Sequence, residues 1–299
     1  MSFIHPQGFA LLKNIKRRLV HFIYYWKWVF GYRKTAQDFY AESIVSIAAR
    51  WEGEVDPLLT YTAMYDVLRQ RGFSGSFWEL GGGYSTILAP LSLRLPATSV
   101  HSVDFNPVKY HRILNSPAIA HAFLKNINLY SEITVSYAQV NEALREVSQR
   151  LCIYPLEAVK QTLSIYAGDT FESCSDMEKL TSKLVSTFNE HPHAIEEYGF
   201  YQQFDAIEGE KLSSRLAKRG KQMDALFLDC GELSSIAEFV LLESLVPIDG
   251  YILLHDIYYP KSIKNYLVAA IIDLSPDWEV LYRDSASRQG GLVAVRKNV

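Results

Sequence analysis

The sequence predicts an α/β fold, with a doubly wound and mainly parallel sheet, a helical extension before it and a helical insertion within it. Two observations predict this fold. The pattern is helical up to Gly72, and beyond it short β-rich apolar runs alternate with amphipathic stretches, as in parallel βα units. A chain of 299 residues is also long enough for one such domain with additions. We therefore predict an extension over residues 1–72 and one domain over 73–299, interrupted by an insertion at about 140–222.

The N-terminal extension contains a basic and aromatic arm, residues 13–34. Seven of the 30 basic residues of the chain precede Asp38, which is the first acidic residue. The apolar stretch Leu19–Tyr32 has 14 residues, whereas a membrane-spanning helix needs about 20. Two roles stay open for the arm. One is packing on the body or on a second copy of the chain in a homo-oligomer, and the other is peripheral contact with an anionic membrane surface.

Composition narrows the classes of partner and compartment. The formal net charge of −3 argues against nucleic acid as a partner, because nucleic-acid binders concentrate positive charge. The three cysteines are widely spaced and form neither a disulfide framework nor a C-x-x-C metal pair. We therefore expect a reducing, cytoplasmic location, with peripheral membrane contact as the variant that the arm leaves open.

Capping and turn residues predict where helices begin and end. Asp56 and Pro57 suit the start of a helix that Gly72 ends. Ser235 and Glu238 have the spacing of a capping box, which predicts a helix beginning near Ser235. Two further helices are predicted at 84–94 and 262–274.

Short apolar runs predict the strands. The third strand has two competing positions, Ile133–Tyr137 and Leu163–Ala167. Gln289-Gly290-Gly291 lies between the last two runs and predicts a hairpin. The six strands whose position is not in competition are Ser76–Leu80, Ser99–Val103, Asp224–Leu228, Gly250–Leu254, Trp278–Tyr282 and Leu292–Val295.

The run F-W-E-L-G-G-G-Y-S-T over residues 77–86 joins a predicted strand to a predicted helix. Glycines there permit positive φ and close approach of a ligand, and a helix N-terminus favours a carboxylate or a phosphate. Asp104 ends the next strand, 25 residues after Glu79, where a carboxylate commonly accepts hydrogen bonds from ribose hydroxyls. Glu79 and Asp104 would then bracket a nucleoside. A tight turn without a ligand is the alternative, and the G-x-G-x-x-G dinucleotide fingerprint is absent from the run.

Further titratable residues end the two later parallel strands. Asp229 follows one, and His255 and Asp256 close the next. Both strand ends lie at the carboxyl edge of a doubly wound sheet, which places them near the glycine loop. Three uses stay open. Asp229 and Asp256 are suitable ligands for Mg²⁺, and any of the three side chains is a candidate to take a proton from a substrate hydroxyl. The third possibility is that these groups only cap the helices that follow the strands.

These residues resemble the class I S-adenosylmethionine-dependent methyltransferase family. Glu79-Leu80-Gly81-Gly82-Gly83 matches its E/D-x-G-x-G motif, and Asp104 resembles the acidic residue at the end of its second strand. The resemblance covers roughly residues 73–297 outside the insertion. It implies a Rossmann-like, doubly wound seven-stranded sheet with an antiparallel last strand.

The resemblance also implies S-adenosylmethionine as the cofactor. Gly81 and Gly83 would lie against its methionine part, Ser85 would help to hold its carboxylate, and Glu79 and Asp104 would complete the nucleoside site.

The segments L-F-L-D-C-G-E and I-L-L-H-D-I are similar to two regions of metal-assisted O-methyltransferases, in which strand-end aspartates bind the metal. Here Ile257 stands where an adjacent third ligand would follow. The resemblance thus implies O-methylation of a small molecule or a glycan intermediate, assisted by a carboxylate or histidine base or by a divalent metal. Two other functions stay open: a non-catalytic binding module with this fold, and an NAD-dependent oxidoreductase.

Overall fold

The computed structural model contains the seven-stranded sheet that the resemblance implies. The strands are β1 (Gly75–Leu80), β2 (Thr98–Val103), β3 (Ile127–Tyr130), β4 (Ala225–Leu228), β5 (Tyr251–His255), β6 (Trp278–Arg283) and β7 (Gly291–Arg296). Their order in the sheet is β3-β2-β1-β4-β5-β7-β6. Strands β1 to β5 are mutually parallel, whereas β7 is antiparallel to both β5 and β6. The predicted antiparallel last strand is confirmed.

The register of the parallel strands brings several strand ends to one level. Leu80 pairs with Val103 on one side and with Leu228 on the other, and Leu228 pairs with Leu254. These four residues are completely buried. The side chains that follow β1, β2, β4 and β5 therefore meet at the same edge of the sheet.

Eight α-helices are formed by the described residues. They are α1 (Val55–Gln70), α2 (Tyr137–Leu151), α3 (Leu156–Ala167), α4 (Met177–Glu190), α5 (Pro192–Phe204), α6 (Leu212–Lys218), α7 (Ser234–Leu242) and α8 (Tyr266–Leu274). Helices α2 to α6 all lie between β3 and β4 in the chain, and they form the helical insertion. None of the helices in this described part is long and apolar enough to cross a membrane.

The third strand differs from both predicted positions. It lies at Ile127–Tyr130, whereas Leu163–Ala167 belongs to α3 and Ser136 caps the N-terminus of α2. The strand is missed because it is short, at the edge of the sheet and partly exposed, with the sequence I-N-L-Y. It therefore lacks the continuous apolar run that identifies a buried strand. The segment Leu163–Ala167 has an apolar pattern because Leu163 and Tyr166 face the core from helix α3.

Helix α1 ends as its glycine predicts. Gly72 has φ +71°, and the N–H groups of Gly72 and Phe73 donate to the carbonyls of Arg69 and Leu68. This pair of bonds satisfies carbonyls that the helix end would otherwise leave unpaired. The helix packs on the sheet through aromatic rings, among them Tyr65 against Phe77 at 5.5 Å between centroids.

The predicted capping box of α7 is wrong. The helix begins at Ser234, so Ser235 lies inside it, and the hydroxyl of Ser235 contacts the thiol of Cys230. The first N–H groups of α7 are instead satisfied by Glu197 of α5, which accepts from Leu233 and Ser234 at 2.8 and 3.0 Å. A carboxylate from a distant helix thus replaces the local cap.

The last predicted helix is shorter than the pattern indicates, since α8 begins at Tyr266 rather than near residue 262. Predictions for residues 1–54, including the arm at 13–34, and for most of the helix at 84–94 lie outside the described residues. The structure describes residues 55–83, 85, 86, 89, 93, 98–106, 127–204, 210–284 and 290–298.

Candidate active site at the carboxyl edge of the sheet

A cavity of about 580 Å³ opens at the carboxyl edge of the sheet. Its floor includes Gly81 after β1, Asp104 after β2 and Asp229 after β4. One wall is formed by α5 of the insertion, which contributes Glu197 and Phe200. The volume lies within the roughly 300–1,000 Å³ typical of small-molecule sites, so the cavity is large enough for a cofactor-sized ligand.

The lining of the cavity is strongly acidic. The basic side chains of this lining are those of Lys264 and His193. A concave surface with many carboxyl groups attracts cationic ligands. The carboxyl side chains of the lining are Asp104, Glu132, Glu196, Glu197, Asp229, Glu232 and Glu238.

The glycine loop is pressed against the end of β4. Gly81 has φ +94°, and a Cβ atom on it would lie 2.1 Å from the carbonyl oxygen of Asp229. The N–H of Gly81 donates to the carbonyl of Val103 at 2.8 Å, and the N–H of Asp229 donates to that of Leu80 at 2.8 Å. Glycine is therefore required at position 81 by the neighbouring backbone itself. Beside Gly83, in contrast, a Cβ atom would meet none of the described residues within 4 Å.

Glu79 lies beneath the glycine loop and is completely buried. Its carboxyl oxygens accept hydrogen bonds from the hydroxyls of Ser85 and Thr86. The hydroxyl of Thr86 also accepts from the N–H of Gly83 at 3.0 Å and lies 2.9 Å from that of Ser102. Burial raises the pKa of Glu79 to about 7, although these hydroxyls oppose the shift. Glu79 and Ser85 thus fix the shape of the loop from below.

Asp104 lies beside the loop, at the end of β2. Its N–H donates to the carbonyl of Tyr130 at 3.0 Å, and its carboxylate accepts from the N–H of Asn106 at 2.8 Å. The side chain lines the cavity. Its predicted contact to ribose hydroxyls stays a prediction.

A buried ionic cluster closes the ends of β4 and β5. We define it as Asp229, His255, Asp256 and Lys264, and it is 2 to 12% exposed by side chain. The Nζ atom of Lys264 lies 3.0 Å from Asp229 Oδ1 and 2.8 Å from Asp256 Oδ2. His255 Nδ1 lies 3.2 Å and 3.5 Å from the same two oxygens. Two cations therefore share one pair of carboxylate oxygens.

The charges of the ionic cluster hold its members ionised. Burial alone would raise the pKa of Asp229 and of Asp256, but Lys264 and His255 outweigh it and lower both. Burial likewise opposes the charged form of His255, but the two carboxylates raise its pKa to about 10. The pKa of Lys264 is held well above its usual value for the same reason. At neutral pH the four charges sum to zero.

The surrounding elements fix the ionic cluster in place. Tyr61 of α1 donates its hydroxyl to Asp229 Oδ2 at 2.6 Å, and its ring lies 4.7 Å from that of His255. Asn265 donates its amide to the carbonyls of Leu228 and His255 at 3.0 and 2.7 Å, which ties β4 to β5. Among the described residues, His255 Nε2 and Asp256 Oδ1 are buried without a hydrogen-bond partner.

A second group of buried polar side chains lines the cavity on α7. Glu238 contacts the thiol of Cys230 and the hydroxyl of Thr134, and burial raises its pKa to about 8. Burial also raises the pKa of Glu197, which is held by the N–H groups at the start of α7. Glu238 is thus mainly protonated at neutral pH.

The predicted site residues fall into three places. Gly81, Asp104 and Asp229 line the cavity together. Glu79 and Ser85 lie beneath the loop to which Gly83 belongs. His255 and Asp256 are buried behind the floor, in contact with Asp229 and Lys264. The roles given to these residues remain predictions.

Several residues of the site were not predicted from the sequence. Lys264 lies in the loop after β5, where the sequence has no periodic pattern. Tyr61 and Glu197 come from helices that are distant from the strand ends in the sequence. Glu238 did carry a signal that was used only for capping: it is a carboxyl group within the otherwise apolar or small run S-S-I-A-E-F-V-L-L. A buried helix with one acidic residue at its centre indicates a specific partner.

Comparison with known proteins gives similarity in structure alone. No protein-family model matches the chain, and no curated protein matches its sequence. The chain is similar to the O-methyltransferase TomG from Streptomyces achromogenes, involved in tomaymycin synthesis and solved with SAM, at 8% identity and a TM-score of 0.45 over 90% of this chain and 95% of that one. It is also similar to an O-methyltransferase from Bacillus cereus solved with SAH, at 14% identity and a TM-score of 0.43 over 88% and 93% of the two chains. Similarities this weak carry no argument about function.

Proposed function

We propose that the chain is an S-adenosylmethionine-dependent O-methyltransferase that acts on a small molecule or a glycan intermediate. The observation that carries the proposal is that Gly81, Asp104 and Asp229 line one cavity together, at the ends of three neighbouring parallel strands. Ligands of doubly wound sheets bind in the crevice outside the carboxyl ends of the strands.

The residues of the cavity fit S-adenosylmethionine, which combines a nucleoside, a sulfonium cation and an amino acid. The carboxylate of Asp104 suits ribose hydroxyls, and Gly81, which has no side chain, lets a ligand approach the backbone at the cavity floor. The carboxyl groups of the lining other than Glu238, whose pKa is raised, and Asp229, which is paired with Lys264 and His255, favour both the sulfonium and the ammonium group. Glu79 and Ser85 support binding indirectly, because they hold the loop that the cofactor would contact.

When bound, the cofactor supplies a methyl group attached to a positively charged sulfur. Asp229 faces the cavity and is the proposed acceptor for the proton of the substrate hydroxyl. In such a transfer the oxygen–carbon bond would form as the carbon–sulfur bond broke, with the proton passing to Asp229 and a neutral thioether as the leaving group. His255, with a pKa of about 10, keeps its proton at neutral pH and so acts as a positioning residue for Asp229 rather than as the base.

Calorimetric titration tests the proposal directly. S-adenosylmethionine and its demethylated product should bind, whereas NAD should not. Asp104→Asn should weaken binding of S-adenosylmethionine by roughly 10- to 100-fold, as expected for losing hydrogen bonds to a charged group. Asp169→Asn is the matched control, because Asp169 is exposed on the insertion and should leave the affinity unchanged. The proposal would be refuted if neither S-adenosylmethionine nor its demethylated product gave a heat of binding.

The same titration together with detection of the demethylated product separates the other functions. Binding of S-adenosylmethionine with no demethylated product formed would favour a non-catalytic module, and binding of NAD alone would favour an oxidoreductase. For the whole chain we propose a cytoplasmic location, with the arm at residues 13–34 packing in a homo-oligomer or contacting a membrane surface.

A further inference from the structure

The ionic cluster has the spacing of a metal site but already contains a cation. Ligand atoms of Asp229, His255 and Asp256 all lie within 4.8 Å of one another, and carboxylate oxygens are the ligands that Mg²⁺ and Ca²⁺ prefer. The residues nevertheless do not fit a divalent ion, because the Nζ atom of Lys264 lies within 3.0 Å of both carboxylates. The ammonium of Lys264 and a divalent ion cannot occupy the same position between these carboxylates.

We infer that the ammonium of Lys264 occupies the place of a divalent cation at the ends of β4 and β5, so that the protein works without a metal there and presents a lysine to the acceptor oxygen.

The hydrogen bonds of the carboxylates support this inference. Asp229 accepts from Lys264 and His255 through Oδ1 and from Tyr61 through Oδ2. Asp256 accepts from Lys264 through Oδ2. A divalent ion that took Asp229 as a ligand would have to displace donors that are already in contact with both of its oxygens.

Charge supports it as well. The ammonium of Lys264 already lies between the two buried carboxylates. Adding a divalent ion beside it would leave excess positive charge away from water, which is strongly unfavourable. A metal would therefore require the ammonium to leave the cluster, and Lys264 lies in a loop fixed by Glu232, which accepts from Ser262 and Ile263 at 3.0 and 2.8 Å.

The position of Lys264 gives the ammonium access to a substrate. Lys264 lines the cavity next to Asp229, whereas His255 and Asp256 lie behind them. This step alone rests on the proposed function: if the acceptor is a hydroxyl, the lysine would stabilise the negative charge that develops on its oxygen, as a metal would.

Terbium luminescence tests whether the place is taken. Tb³⁺ binds carboxylate sites, and an ion in the cluster would lie close enough to Tyr61 for excitation through that ring. The intact wild-type protein should give no saturable Tb³⁺ signal that depends on Asp256, so Asp256→Asn should leave its Tb³⁺ response unchanged. Lys264→Gln should gain a saturable signal of one ion per chain that Ca²⁺ competes away, and adding Asp256→Asn to it should abolish the signal.

The control is Lys261→Gln, which neutralises an exposed lysine three residues earlier and should behave like the wild type. Saturable binding by the wild type that depends on Asp256 would overturn the inference, as would a folded Lys264→Gln protein that gains no site. Circular dichroism shows whether each variant is folded. If Lys264→Gln does not fold, the Tb³⁺ titration of the wild type alone decides whether the cluster binds an ion. Titration with S-adenosylmethionine tests the proposed function separately, so either can fail while the other stands.

Discussion

Carboxyl groups are buried in two different ways at the same edge of the sheet. Glu79 and Glu238 have hydroxyl and thiol partners, and burial raises their pKa values to about 7 and about 8. Asp229 and Asp256 are buried beside Lys264 and His255, and their pKa values are lowered. The comparison teaches that the charge of the partner, not the depth of burial, decides whether a carboxyl group in this protein is ionised.

The two arrangements respond to pH in opposite directions. A lowered pKa stabilises the fold above the usual pKa of the group, so acid weakens the cluster around Asp229 and Asp256. A raised pKa in a carboxyl group stabilises the fold at low pH, and this contribution is lost as the pH rises through the raised value. Each of the following changes tests one side of this contrast.

The largest effect is expected from removing the cation of the ionic cluster. Lys264→Met leaves two buried carboxylates with one cation, and breaking a buried charge pair costs about 3–5 kcal/mol of unfolding free energy. Urea denaturation at pH 7 measures the loss. A loss below about 1 kcal/mol, as is typical of exposed pairs, would show that water solvates these carboxylates and would remove the basis of the contrast.

A smaller effect, and one that depends on pH, is expected from Glu79→Gln. The buried carboxyl group has a pKa of about 7 in the fold against 4.5 ordinarily, so its contribution is complete below pH 4.5 and falls as the pH rises through 7. At about 1.4 kcal/mol per pKa unit, the wild type should lose about 3 kcal/mol relative to the variant between pH 4 and pH 8. Parallel pH profiles of the two proteins in urea denaturation would contradict the assignment.

The smallest effect is expected at an exposed ion pair. Lys218 contacts Glu210 at 2.5 Å, but its side chain is 76% exposed. Because water screens such a pair, Lys218→Met should change the unfolding free energy by less than about 1 kcal/mol. The same urea experiment measures it, and a loss equal to that of Lys264→Met would mean that burial does not distinguish the two lysines.

The sequence was sufficient for the frame of the site. Asp104, Asp229 and His255 could be placed because each directly follows or closes a short apolar run, and parallel strands bring their carboxyl ends together. The third strand could not be placed, because Ile127–Tyr130 lies at the sheet edge with little apolar signal.

The partners of these residues could not be predicted from local pattern. Tyr61 meets Asp229 across 168 residues, and Glu197 reaches the start of α7 across 36. Such contacts depend on how whole helices pack, and no periodicity encodes them. Lys264 lies only eight residues from Asp256, but a loop between them decides where its ammonium points.

The cavity has walls that come from separate parts of the chain, and this separation has a consequence for protein engineering. The floor is formed by strand ends whose backbones are in contact, so a side chain at Gly81 would displace β4. Helix α5 instead presents Glu196 and Phe200 to the cavity from the insertion. A mutational library confined to those two positions, with Glu197 retained as the cap of α7, would vary one wall of the cavity and leave the strand ends of its floor unchanged.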